Sequence, residues 1–539
     1  MDNEILRIEN LRVVAGQNVL VDNVSLRLQK GQVLGMIGES GAGKTTIGLA
    51  SLAYSRAGCS IVGGDIFFAG VRGFPAVRKL RGRRAAYVAQ SAAASFNPSK
   101  TILWQFCEMP VFFGIMTRKE AAEWAVELFR SLDLPSPETF GKRYPHQASG
   151  GQLQRAMVAM AMSCRPDLLV FDEPTTALDV TTQIEVLASM RKVIKEHGAA
   201  GLYISHDLAV VAQIADDVMV LRHGKMVETG TADQILHSPR EDYTRRLVAV
   251  RSSTQLGGGQ NLGEAGNAPV LDVSGLDVGY GDALAVKKAS LKLHKGETIA
   301  VVGESGSGKT TLGRAIVGLR PPSAGKILYR GKVLEPGFRQ RSLDQRRGIQ
   351  LINQMPDVAL NPHQTVEEII GAPLQRFFKM PRKKIKERVA ELLTLLDLPP
   401  EYAKRKSTQL SGGQKQRVCI GRALAAEPDV IVCDEITSAL DALVGEEILK
   451  LLAKLQKETG VSYLFISHDL GLVRRIADNV IVMLNGDIVA EGPIEKAFNP
   501  PYHPYTELLL SSVPEMRTDW LDTALIRKRD SAERIKKHD

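Results

Sequence analysis

The feature that most constrains this chain is an internal repeat of four sequence phrases, each present once in either half. Each phrase is written here with its first and second occurrence: GESGAGKTT at 38–46 and GESGSGKTT at 303–311, SGGQLQR at 149–155 and SGGQKQR at 411–417, FDEPTTALD at 171–179 and CDEITSALD at 433–441, and YISHDL at 203–208 and FISHDL at 465–470. A period this long excludes a solenoid of small repeats. The sequence therefore predicts one domain present in two copies.

The spacing between the phrases repeats as well. Ser149 precedes Asp172 by 23 residues, and Ser411 precedes Asp434 by 23 residues. The aspartate precedes the histidine of the ISHD phrase by 34 residues in both halves. From the lysine of the first phrase to the serine of the second is 105 residues in one half and 102 in the other. Chance recurrence of short motifs would not preserve these intervals, so the duplication extends to the fold.

The domain boundaries follow from this repeat and from one change in composition. Residues 251–268 are rich in Gly, Ser, Asn and Gln, which predicts a flexible linker. The first domain is predicted at 1–250 and the second at 269–498. A C-terminal extension and charged tail occupy 499–539, and we expect the part from about 516 to be a surface tail without a role.

Composition sets broad limits on the function. The net charge of +9 is mild for 539 residues, does not by itself indicate nucleic acid, and is equally compatible with weak attraction to anionic membranes. The five cysteines form no CxxC pair, so we expect a reducing compartment rather than a disulfide framework. There is no apolar run of about 18 residues and no secretory pattern at the N-terminus. Any membrane association is therefore expected through other chains.

Local patterns within each copy predict an α/β fold. The apolar runs VLGMIG at 33–38, LLVF at 168–171 and GLYIS at 201–205 are bounded by turn residues and are typical of buried parallel strands. Helical stretches lie between them. After Gly151, helical spacing places five residues on one face, where we expect core packing: Leu153, Ala156, Met157, Met160 and Ala161.

The phrase GESGxGKT matches the phosphate-binding pattern G-x-x-x-x-G-K-[ST] and lies between a predicted strand and a predicted helix. Its glycines allow successive backbone N–H groups to surround a phosphate, and the helix N-terminus adds partial positive charge. The lysine is expected to contact the β and γ phosphates and the first threonine to bind Mg²⁺. The predicted residues are Gly38, Ser40, Gly41, Gly43, Lys44, Thr45 and Thr46, and Gly303, Ser305, Gly306, Gly308, Lys309, Thr310 and Thr311.

The DE pairs and the ISHD phrases predict the remaining chemistry. Each aspartate ends an apolar run, where an α/β site presents metal-binding groups. Neighbouring residues on a strand point to opposite faces, so the glutamate is expected to polarise the attacking water instead. The histidine is expected to donate a hydrogen bond to the γ-phosphate. The two sets are Asp172, Glu173 and His206, and Asp434, Glu435 and His468.

Taken together, these motifs resemble the nucleotide-binding domains of ABC transporters over about 1–245 and 269–515. SGGQ is the most specific element, because most other P-loop families lack it. The resemblance implies two tandem P-loop NTPase domains of ABC type. Each would have a mostly parallel core sheet, an antiparallel β subdomain and a helical signature subdomain.

The resemblance also implies that ATP lies between the Walker A phrase of one half and the SGGQ signature of the other. One composite site would join Lys44 to Ser411, Gly412, Gly413 and Gln414, and the other would join Lys309 to Ser149, Gly150, Gly151 and Gln152. Gln90 and Gln354 match the family's Q-loop glutamine, which contacts Mg²⁺ and the attacking water.

A narrower resemblance lies outside the shared motifs. SFNP at 95–98, ALNP at 359–362 and NPPYHPYTELLLSSVP at 499–514 are similar to segments of the ATPases of bacterial oligopeptide, dipeptide and nickel importers. Some members carry a C-terminal iron–sulfur cysteine cluster. No cysteine follows Cys433, so we expect no cluster here.

One departure from the family pattern distinguishes the two halves. The family stacks adenine on an aromatic residue about thirty positions before the Walker A lysine, and Tyr280 occupies this place before Lys309. The corresponding residue before Lys44 is Ala15. Stacking contributes about 0.5–1.5 kcal/mol beyond burial, so the Lys309 site is expected to bind ATP more tightly. Both sites are expected to hydrolyse ATP.

The function implied by the resemblance is ATP hydrolysis that powers import of peptides or peptide-like small molecules. The expected cofactors are ATP and Mg²⁺, and the expected partners are two transmembrane permease subunits and a solute-binding protein. No nucleic acid is expected. The chain would be peripheral at the cytoplasmic face of the bacterial inner membrane, with membrane contact through partners only.

Three other functions stay open at this point. A soluble tandem ABC protein acting on ribosomes typically has a long charged helical linker, whereas the linker here is short and Gly-rich. A DNA-repair ATPase carries inserted modules between Walker A and SGGQ, for which the 105- and 102-residue intervals leave no room. A nucleotide-gated scaffold is disfavoured because both halves keep DE and His.

Overall fold

The computed structural model describes residues 3–176, 178–252, 268–281, 283–438 and 440–528. The described residues form two compact units, the first containing 3–252 together with 514–528 and the second containing 268–513. Each unit carries one copy of the repeat. Nearly all of the predicted linker and the last residues of the predicted tail, from 529, lie outside the described residues.

The first unit contains a six-stranded sheet in the order β10-β9-β3-β8-β7-β6 and a four-stranded sheet in the order β2-β1-β4-β5. Its strands are β1 Glu4–Ala15, β2 Asn18–Gln29, β3 Val33–Ile37, β4 Cys59–Phe68, β5 Val71–Arg72, β6 Ala85–Val88, β7 Leu168–Asp172, β8 Ala200–Ile204, β9 Asp217–Arg222 and β10 Lys225–Thr231. All neighbours in the six-stranded sheet are parallel except β9 and β10, and the four-stranded sheet is antiparallel throughout.

The helices of the first unit connect and cover these sheets, and five of them lie in sequence between β6 and β7. They are α1 Lys44–Ser51, α2 Phe74–Arg78, α3 Ala92–Ser95, α4 Ile102–Phe112, α5 Arg118–Ser131, α6 Pro137–Phe140, α7 Gly150–Met162, α8 Val180–His197, α9 Leu208–Val211, α10 Ala232–His237 and α11 Asp242–Ser252. The five inserted helices, α3 to α7, contain the predicted signature phrase at the start of α7.

The second unit repeats this arrangement, with sheets in the orders β16-β17-β18-β13-β19-β20 and β12-β11-β14-β15. Its strands are β11 Leu271–Tyr280, β12 Ala283–Leu293, β13 Thr298–Val302, β14 Ala324–Tyr329, β15 Lys332–Val333, β16 Ile349–Ile352, β17 Val430–Asp434, β18 Ser462–Ile466, β19 Asn479–Leu484 and β20 Asp487–Pro493. Its helices are α12 Lys309–Ile316, α13 Leu343–Gly348, α14 Pro356–Ala359, α15 Val366–Phe378, α16 Arg382–Leu395, α17 Gly412–Leu424, α18 Ala442–Thr459, α19 Leu470–Ile476, α20 Ile494–Ala497 and α21 Pro504–Ser511.

The three predicted apolar runs form the central strands β3, β7 and β8, and every residue in them is buried. Parallel strands covered on both faces have no solvent-facing side, which explains why the runs are continuous rather than alternating. On α7, Leu153, Ala156 and Met157 are buried as predicted, whereas Met160 and Ala161 are half-buried. Val158, Ala159 and Met162 of the same helix are buried as well, so its buried side is broader than predicted and excludes two of the predicted residues.

The parallel central strands bring three predicted motifs to one edge of each sheet. The Walker A phrase follows β3, Asp172 ends β7, and the ISHD phrase follows β8 in the first unit. In the second unit the Walker A phrase follows β13, Asp434 ends β17, and the ISHD phrase follows β18. Ligand sites of α/β proteins form outside the carboxyl ends of parallel strands, so this edge is the candidate site.

The C-terminal tail differs from expectation. Residues 514–528 belong to the first unit, and Trp520 and Leu521 on this segment are 2% and 0% exposed. The Gln213 side chain donates to the backbone oxygens of Glu515 and Arg517 and accepts from the N–H of Leu521. The expectation of a surface tail is therefore wrong for this segment. The segment is charged overall, but Trp520, Leu521 and Ala524 form an apolar face that is buried.

Among the described residues, no helix combines the length and the apolar character needed to cross a bilayer.

Two candidate nucleotide sites

The Walker A residues form a tight turn between a central strand and the following helix in both units. The turn begins with Gly38 at φ 151° and with Gly303 at φ 149°, a conformation that strains residues with side chains. A Cβ at Gly38 would lie 2.1 Å from the backbone oxygen of Leu221, and one at Gly303 would lie 2.2 Å from that of Met483. Glycine is therefore required by the backbone path as well as by any ligand.

The Walker A lysines are buried and fold back over this turn. The ammonium of Lys44 donates to the backbone oxygens of Gly38 and Glu39 at 2.6 and 3.1 Å. Lys309 donates to the equivalent oxygens of Gly303 and Glu304 at 2.9 and 2.7 Å. Both ammonium groups thus lie at the mouth of the turn. The remaining residues predicted to bind phosphate, at 40–46 and 305–311, form the turn and the first helical turn after it.

The Walker A threonine and the Walker B aspartate meet across the edge of the sheet. Thr45 Oγ1 donates to Asp172 Oδ1 at 2.8 Å, and Thr310 Oγ1 donates to Asp434 Oδ1 at 2.9 Å. A hydroxyl and a carboxylate oxygen this close are the ligand types that Mg²⁺ prefers. The donor set therefore fits the metal that the sequence implies.

The first unit adds a contact that the motifs did not predict. Tyr87 on β6 donates its hydroxyl hydrogen to Asp172 Oδ2 at 2.6 Å. Burial is the main cause that raises the pKa of Tyr87, and the bond to Asp172 raises it further. In the second unit the corresponding position on β16 is Leu351, which has no polar atom to offer Asp434. Only the pairing of β6 with β7 reveals this contact.

The acidic residue after each Walker B aspartate leaves the strand. Glu173 and Glu435 have φ values of 48° and 49°, in the left-handed region, and each lies directly after its strand. Such a conformation costs about 1–3 kcal/mol for a residue with a side chain and clusters at functional sites. The expected separation of Asp from Glu is present, but the left-handed backbone produces it. The alternation along a strand that the sequence suggested is not the cause.

A glutamine, a glutamate and a histidine converge in both units. In the first, His206 Nδ1 lies 3.3 Å from Glu173 Oε2, and Gln90 Nε2 donates to the same oxygen at 3.4 Å. In the second unit, His468 Nδ1 lies 3.5 Å from Glu435 Oε2. There Gln354 donates to this oxygen at 2.7 Å. Residues that are distant in sequence therefore meet around one carboxylate.

These contacts fix the charge state of the carboxylates. Burial raises the pKa of Glu173, but the hydrogen bond from His206 and the charges of His206 and Lys44 outweigh it, so the pKa is lowered from its ordinary value. Glu435 is lowered in the same way by His468 and Lys309. Burial lowers the pKa of His468, but its bond to Glu435 leaves it above 6.5. Each glutamate is thus an ionised acceptor at neutral pH.

The signature phrase caps a helix in each unit. Ser149 Oγ accepts from the N–H of Gln152, and Gln152 Oε1 accepts from the N–H of Ser149. Ser411 and Gln414 form the same capping box at the start of α17. The glutamine of SGGQ therefore holds the serine in place. The free N–H groups of the first helical turn remain directed outward from the cap.

The second glycine of each signature phrase permits close packing on the next helix. A Cβ at Gly151 would lie 2.2 Å from Thr182 Cγ2 on α8. A Cβ at Gly413 would lie 2.6 Å from Val444 Cγ1 on α18. Each signature helix is thus packed against the helix that follows the ALD turn of its own unit.

A tyrosine near the end of each copy was missed by the sequence analysis. The N–H of Glu304 in the Walker A turn donates to the hydroxyl of Tyr505, which is 2% exposed. Tyr243 is the equivalent residue in the first unit, where burial and neighbouring Glu39 raise its pKa. The available signal was a repeated Tyr-Thr pair at 243–244 and 505–506.

The residues at the position predicted to stack on adenine differ between the two units. Tyr280 is half-exposed, the guanidinium of Arg320 lies 4.2 Å from its ring centre, and hydrogen bonding to Thr311 is the main cause that lowers its pKa. In the first unit, where Ala15 takes its place, Thr46 and Arg56 border a small recess that opens to solvent. The first unit therefore has no aromatic ring at the position that Tyr280 occupies in the second.

Comparison with known proteins identifies the family. The family described as "ABC transporter" matches residues 21–176 and 286–438. The family described as "Oligopeptide/dipeptide transporter, C-terminal region" matches residues 489–537. The second match begins in β20 and includes the segment that packs in the first unit. More than half of the chain is covered by the first family alone.

Relatives match over nearly the whole length. The glutathione import ATP-binding protein GsiA of Escherichia coli strain K12 is 39% identical over 562 aligned positions, covering 95% of this chain and 89% of its own. The protein of the same name from Shigella dysenteriae serotype 1 is 38% identical with the same coverage. A solved structure of CbiO1 from Clostridium perfringens, part of the ABC transporter complex CbiONQ, is 32% identical over 43% of this chain and 90% of its own, with a TM-score of 0.40.

The family matches and the full-length relatives agree with the duplicated motifs and the two α/β units. The chain therefore belongs to the ABC transporter family, as a tandem ATPase subunit of the oligopeptide and dipeptide importer type.

Proposed function

We propose that this chain hydrolyses ATP at two sites and thereby powers import of a peptide or peptide-like small molecule. The observation that carries this proposal is the convergence of Gln, Glu and His around an ionised carboxylate in both units, beside a complete Walker A turn. A subunit with one degenerate site would not keep all three groups twice. The substrate class is supported by the C-terminal region and by the name of the relatives, since glutathione is itself a small peptide.

The phosphates of ATP would lie in the Walker A turn, where backbone N–H groups and the lysine ammonium meet their negative charge. Thr45, Asp172 and Gln90 would hold Mg²⁺ in the first unit, and Thr310, Asp434 and Gln354 in the second, and the metal would neutralise charge on the phosphates. Lys44 and Lys309 already lie at the mouth of their turns. Their charge therefore needs little rearrangement to face a phosphate.

Glu173 and Glu435 would act as general bases on the attacking water. Each is ionised at neutral pH and accepts hydrogen bonds on one oxygen from its glutamine and histidine neighbours. That leaves the other carboxylate oxygen to accept a proton from water. His206 and His468 would orient the glutamate and donate toward the γ-phosphate.

We propose further that each ATP is completed by the signature helix of the opposite half of the same chain. The capping boxes at Ser149 and Ser411 support this, because they leave first-turn N–H groups and the positive end of the helix for an anion. Binding of ATP would then close the halves, and hydrolysis would open them. Two permease subunits would receive this motion, and a solute-binding protein would deliver the solute at the inner membrane.

The test is a double variant, Glu173→Gln with Glu435→Gln. We expect ATPase activity to fall by about 10²–10⁴-fold while ATP binding persists, because a general base contributes that much to the rate. The matched control changes two exposed glutamates, Glu123→Gln with Glu387→Gln, and should keep normal turnover. Near-normal turnover in the first double variant would refute the assignment of the base.

The transport role has its own test. Co-expression with two permease subunits of the oligopeptide and dipeptide importer type should recover the chain in a membrane complex whose ATPase activity rises with a solute-binding protein. Recovery with ribosomes and not with permeases would favour the rival function.

A further inference from the structure

A dense cluster of exposed cations distinguishes one turn of the second unit from the corresponding turn of the first. It lies at the turn between α15 and α16, and we call it the basic surface. Its members are Arg376, Lys379, Arg382, Lys383, Lys384 and Lys386, all exposed. Residues 376–386 contain six cations and no acidic residue, whereas the corresponding residues 112–122 of the first unit contain two cations and one glutamate. The basic surface therefore accounts for much of the net charge of +9.

The six cations have no anionic partner within the described part of the chain. The ion pairs nearest in sequence belong to Arg388, which contacts Glu391 and Glu427. Lys and Arg on a folded surface are usually placed among both signs of charge. A one-sign cluster left unpaired raises the local potential and attracts anions from solution.

The start of α16 breaks a rule that its counterpart obeys. In the first unit, Thr117 and Glu120 form a capping box at the start of α5, which puts an acidic group beside the positive end of the helix. In α16 the capping position is Pro381 without a side-chain cap, and the position of Glu120 is taken by Lys384. Cations in a first turn oppose the helix dipole and destabilise it. Folding alone therefore does not account for these lysines.

Aromatic and apolar side chains lie at the same turn. Phe378 ends α15 with 37% of its surface exposed, and the guanidinium of Arg347 lies 5.6 Å from its ring centre. Met380, two residues on, is half-buried. Amphipathic and aromatic side chains beside Lys and Arg suit the boundary between lipid headgroups and acyl chains. Such a mixture fits a bilayer better than it fits a free anion.

We propose that the basic surface binds anionic phospholipid headgroups directly, so that the second unit contacts the membrane itself as well as through permeases. Clusters of four to eight cations are a feature by which proteins bind anionic leaflets, and each cation near the surface strengthens binding about fivefold. The corresponding turn of the first unit, at 112–122, lacks the cluster, so the proposed contact at this turn belongs to the second unit. This revises the expectation that membrane contact runs through partners only. An anionic bilayer fits as the partner because the chain belongs to a family of transporter ATPases, which act at membranes.

The test measures binding of the purified full chain to phosphatidylcholine vesicles with and without about one quarter phosphatidylglycerol. We expect binding only to the anionic vesicles, and a steep loss of binding as salt is raised, because screening shortens the reach of surface charge. The variant Lys383→Gln, Lys384→Gln, Lys386→Gln should bind about 100-fold more weakly.

The matched control removes three exposed lysines from the antiparallel sheet of the same unit. It is Lys292→Gln, Lys326→Gln, Lys332→Gln, which changes the net charge equally and should bind within about fivefold of the parent chain. Equal loss in both variants would show that only net charge matters and would overturn the proposal. Equal binding of the parent chain to neutral vesicles, or binding to RNA but not to anionic vesicles, would also overturn it.

Thermal unfolding separates a lost surface from a lost fold. Removing cations from the first turn of α16 relieves repulsion with the helix dipole, so the triple variant should unfold at the same or a higher temperature than the parent chain. The vesicle experiment uses no permease and measures no hydrolysis. Its failure would therefore leave the proposed ATPase and transport role untouched, and the failure of that role would leave the lipid contact standing.

Discussion

The two Walker B aspartates carry the same motif in different surroundings. Asp172 is held by Thr45 on one oxygen and by Tyr87 on the other, whereas Asp434 is held by Thr310 and faces a strand that offers Leu351 instead. Burial is the main cause that raises the pKa of Asp434. The groups that perform chemistry are thus duplicated, and the residues around them have diverged. The two sites are expected to share one mechanism with different strengths of binding.

The same contrast holds farther from the metal. One unit has Tyr280 beside Walker A, and the other has Ala15 and a recess. The first unit also carries the docked segment 514–528, although this segment is joined covalently to the second. The motif residues are therefore the same in both units, whereas the residues around them differ. Each of these differences can be tested by substitution.

The largest effect is expected from the docked segment. Trp520→Ala removes a large side chain that is 2% exposed, and such changes cost about 3–5 kcal/mol when the cavity persists. We expect lower stability of the first unit in chemical denaturation and faster proteolytic cleavage within 514–528. Ile526→Ala on the same segment is the control, since Ile526 is 63% exposed and should change little. Equal behaviour of the two variants would show that the segment is not docked in solution.

The next effect concerns the extra bond to Asp172. Tyr87→Phe removes a hydrogen bond to a carboxylate, which typically contributes about 1.5–3 kcal/mol, so the free energy of unfolding should fall by that amount. The concentration of Mg²⁺ needed for nucleotide binding at this site should change as well, since Asp172 would lose an orienting partner. Tyr144→Phe, at a 40% exposed tyrosine, is the control. An unchanged free energy of unfolding would mean that Tyr87 contributes nothing to the site.

A smaller effect is expected at the base-binding side. Tyr280→Ala should weaken ATP binding at the second site by about two- to twelvefold, the range that stacking supplies. Ala15→Tyr should strengthen the first site by a similar factor and so reduce the asymmetry. Site-resolved titration with a fluorescent ATP analogue measures both. Equal affinities in the parent chain would contradict the expected difference.

The smallest effect is a pH dependence of the His468–Glu435 pair, which also senses the charges of Asp469 and Lys309. The raised pKa of His468 means that its contribution to stability is present below 6.5 and is lost as pH rises through the higher folded value. The lowered pKa of Glu435 means that its contribution is present above 4.5 and is lost as pH falls through the lower folded value. The stability difference between the parent chain and His468→Asn should therefore shrink above pH 6.5. A difference that stayed constant to high pH would rule out the charged pair.

Much of the site was readable from the sequence because its chemistry depends on short local patterns. The Walker A turn requires glycine at Gly38 for reasons of backbone geometry, and the signature requires Ser149 and Gln152 three apart to close a capping box. Each of these requirements involves residues that lie within a few positions of one another in the sequence. The convergence of Gln90, Glu173 and His206 could be expected only by resemblance, since no local pattern brings them together.

Other contacts depended on which strands and helices became neighbours. Tyr87 is an unremarkable strand residue until β6 pairs with β7 and brings its hydroxyl to Asp172. Tyr505 reaches Glu304 only when the last helix of the unit packs on the Walker A turn. The contact of Tyr87 leaves no repeated pattern in the sequence, and the only trace of the contact of Tyr505 is the Tyr-Thr pair repeated at 243–244 and 505–506.

By itself the sequence determined the duplication, the α/β class, the phosphate-binding turns and the identity of the acidic and basic groups, because these follow from spacing and local backbone demands. Only the tertiary structure decided that Glu173 leaves its strand in a left-handed conformation and that Tyr87 supports Asp172. It also decided that the side chain of Trp520 is buried in the first unit. Burial and cross-strand contact are properties of the folded arrangement, and residues far apart along a chain meet only after the sheet has set their register.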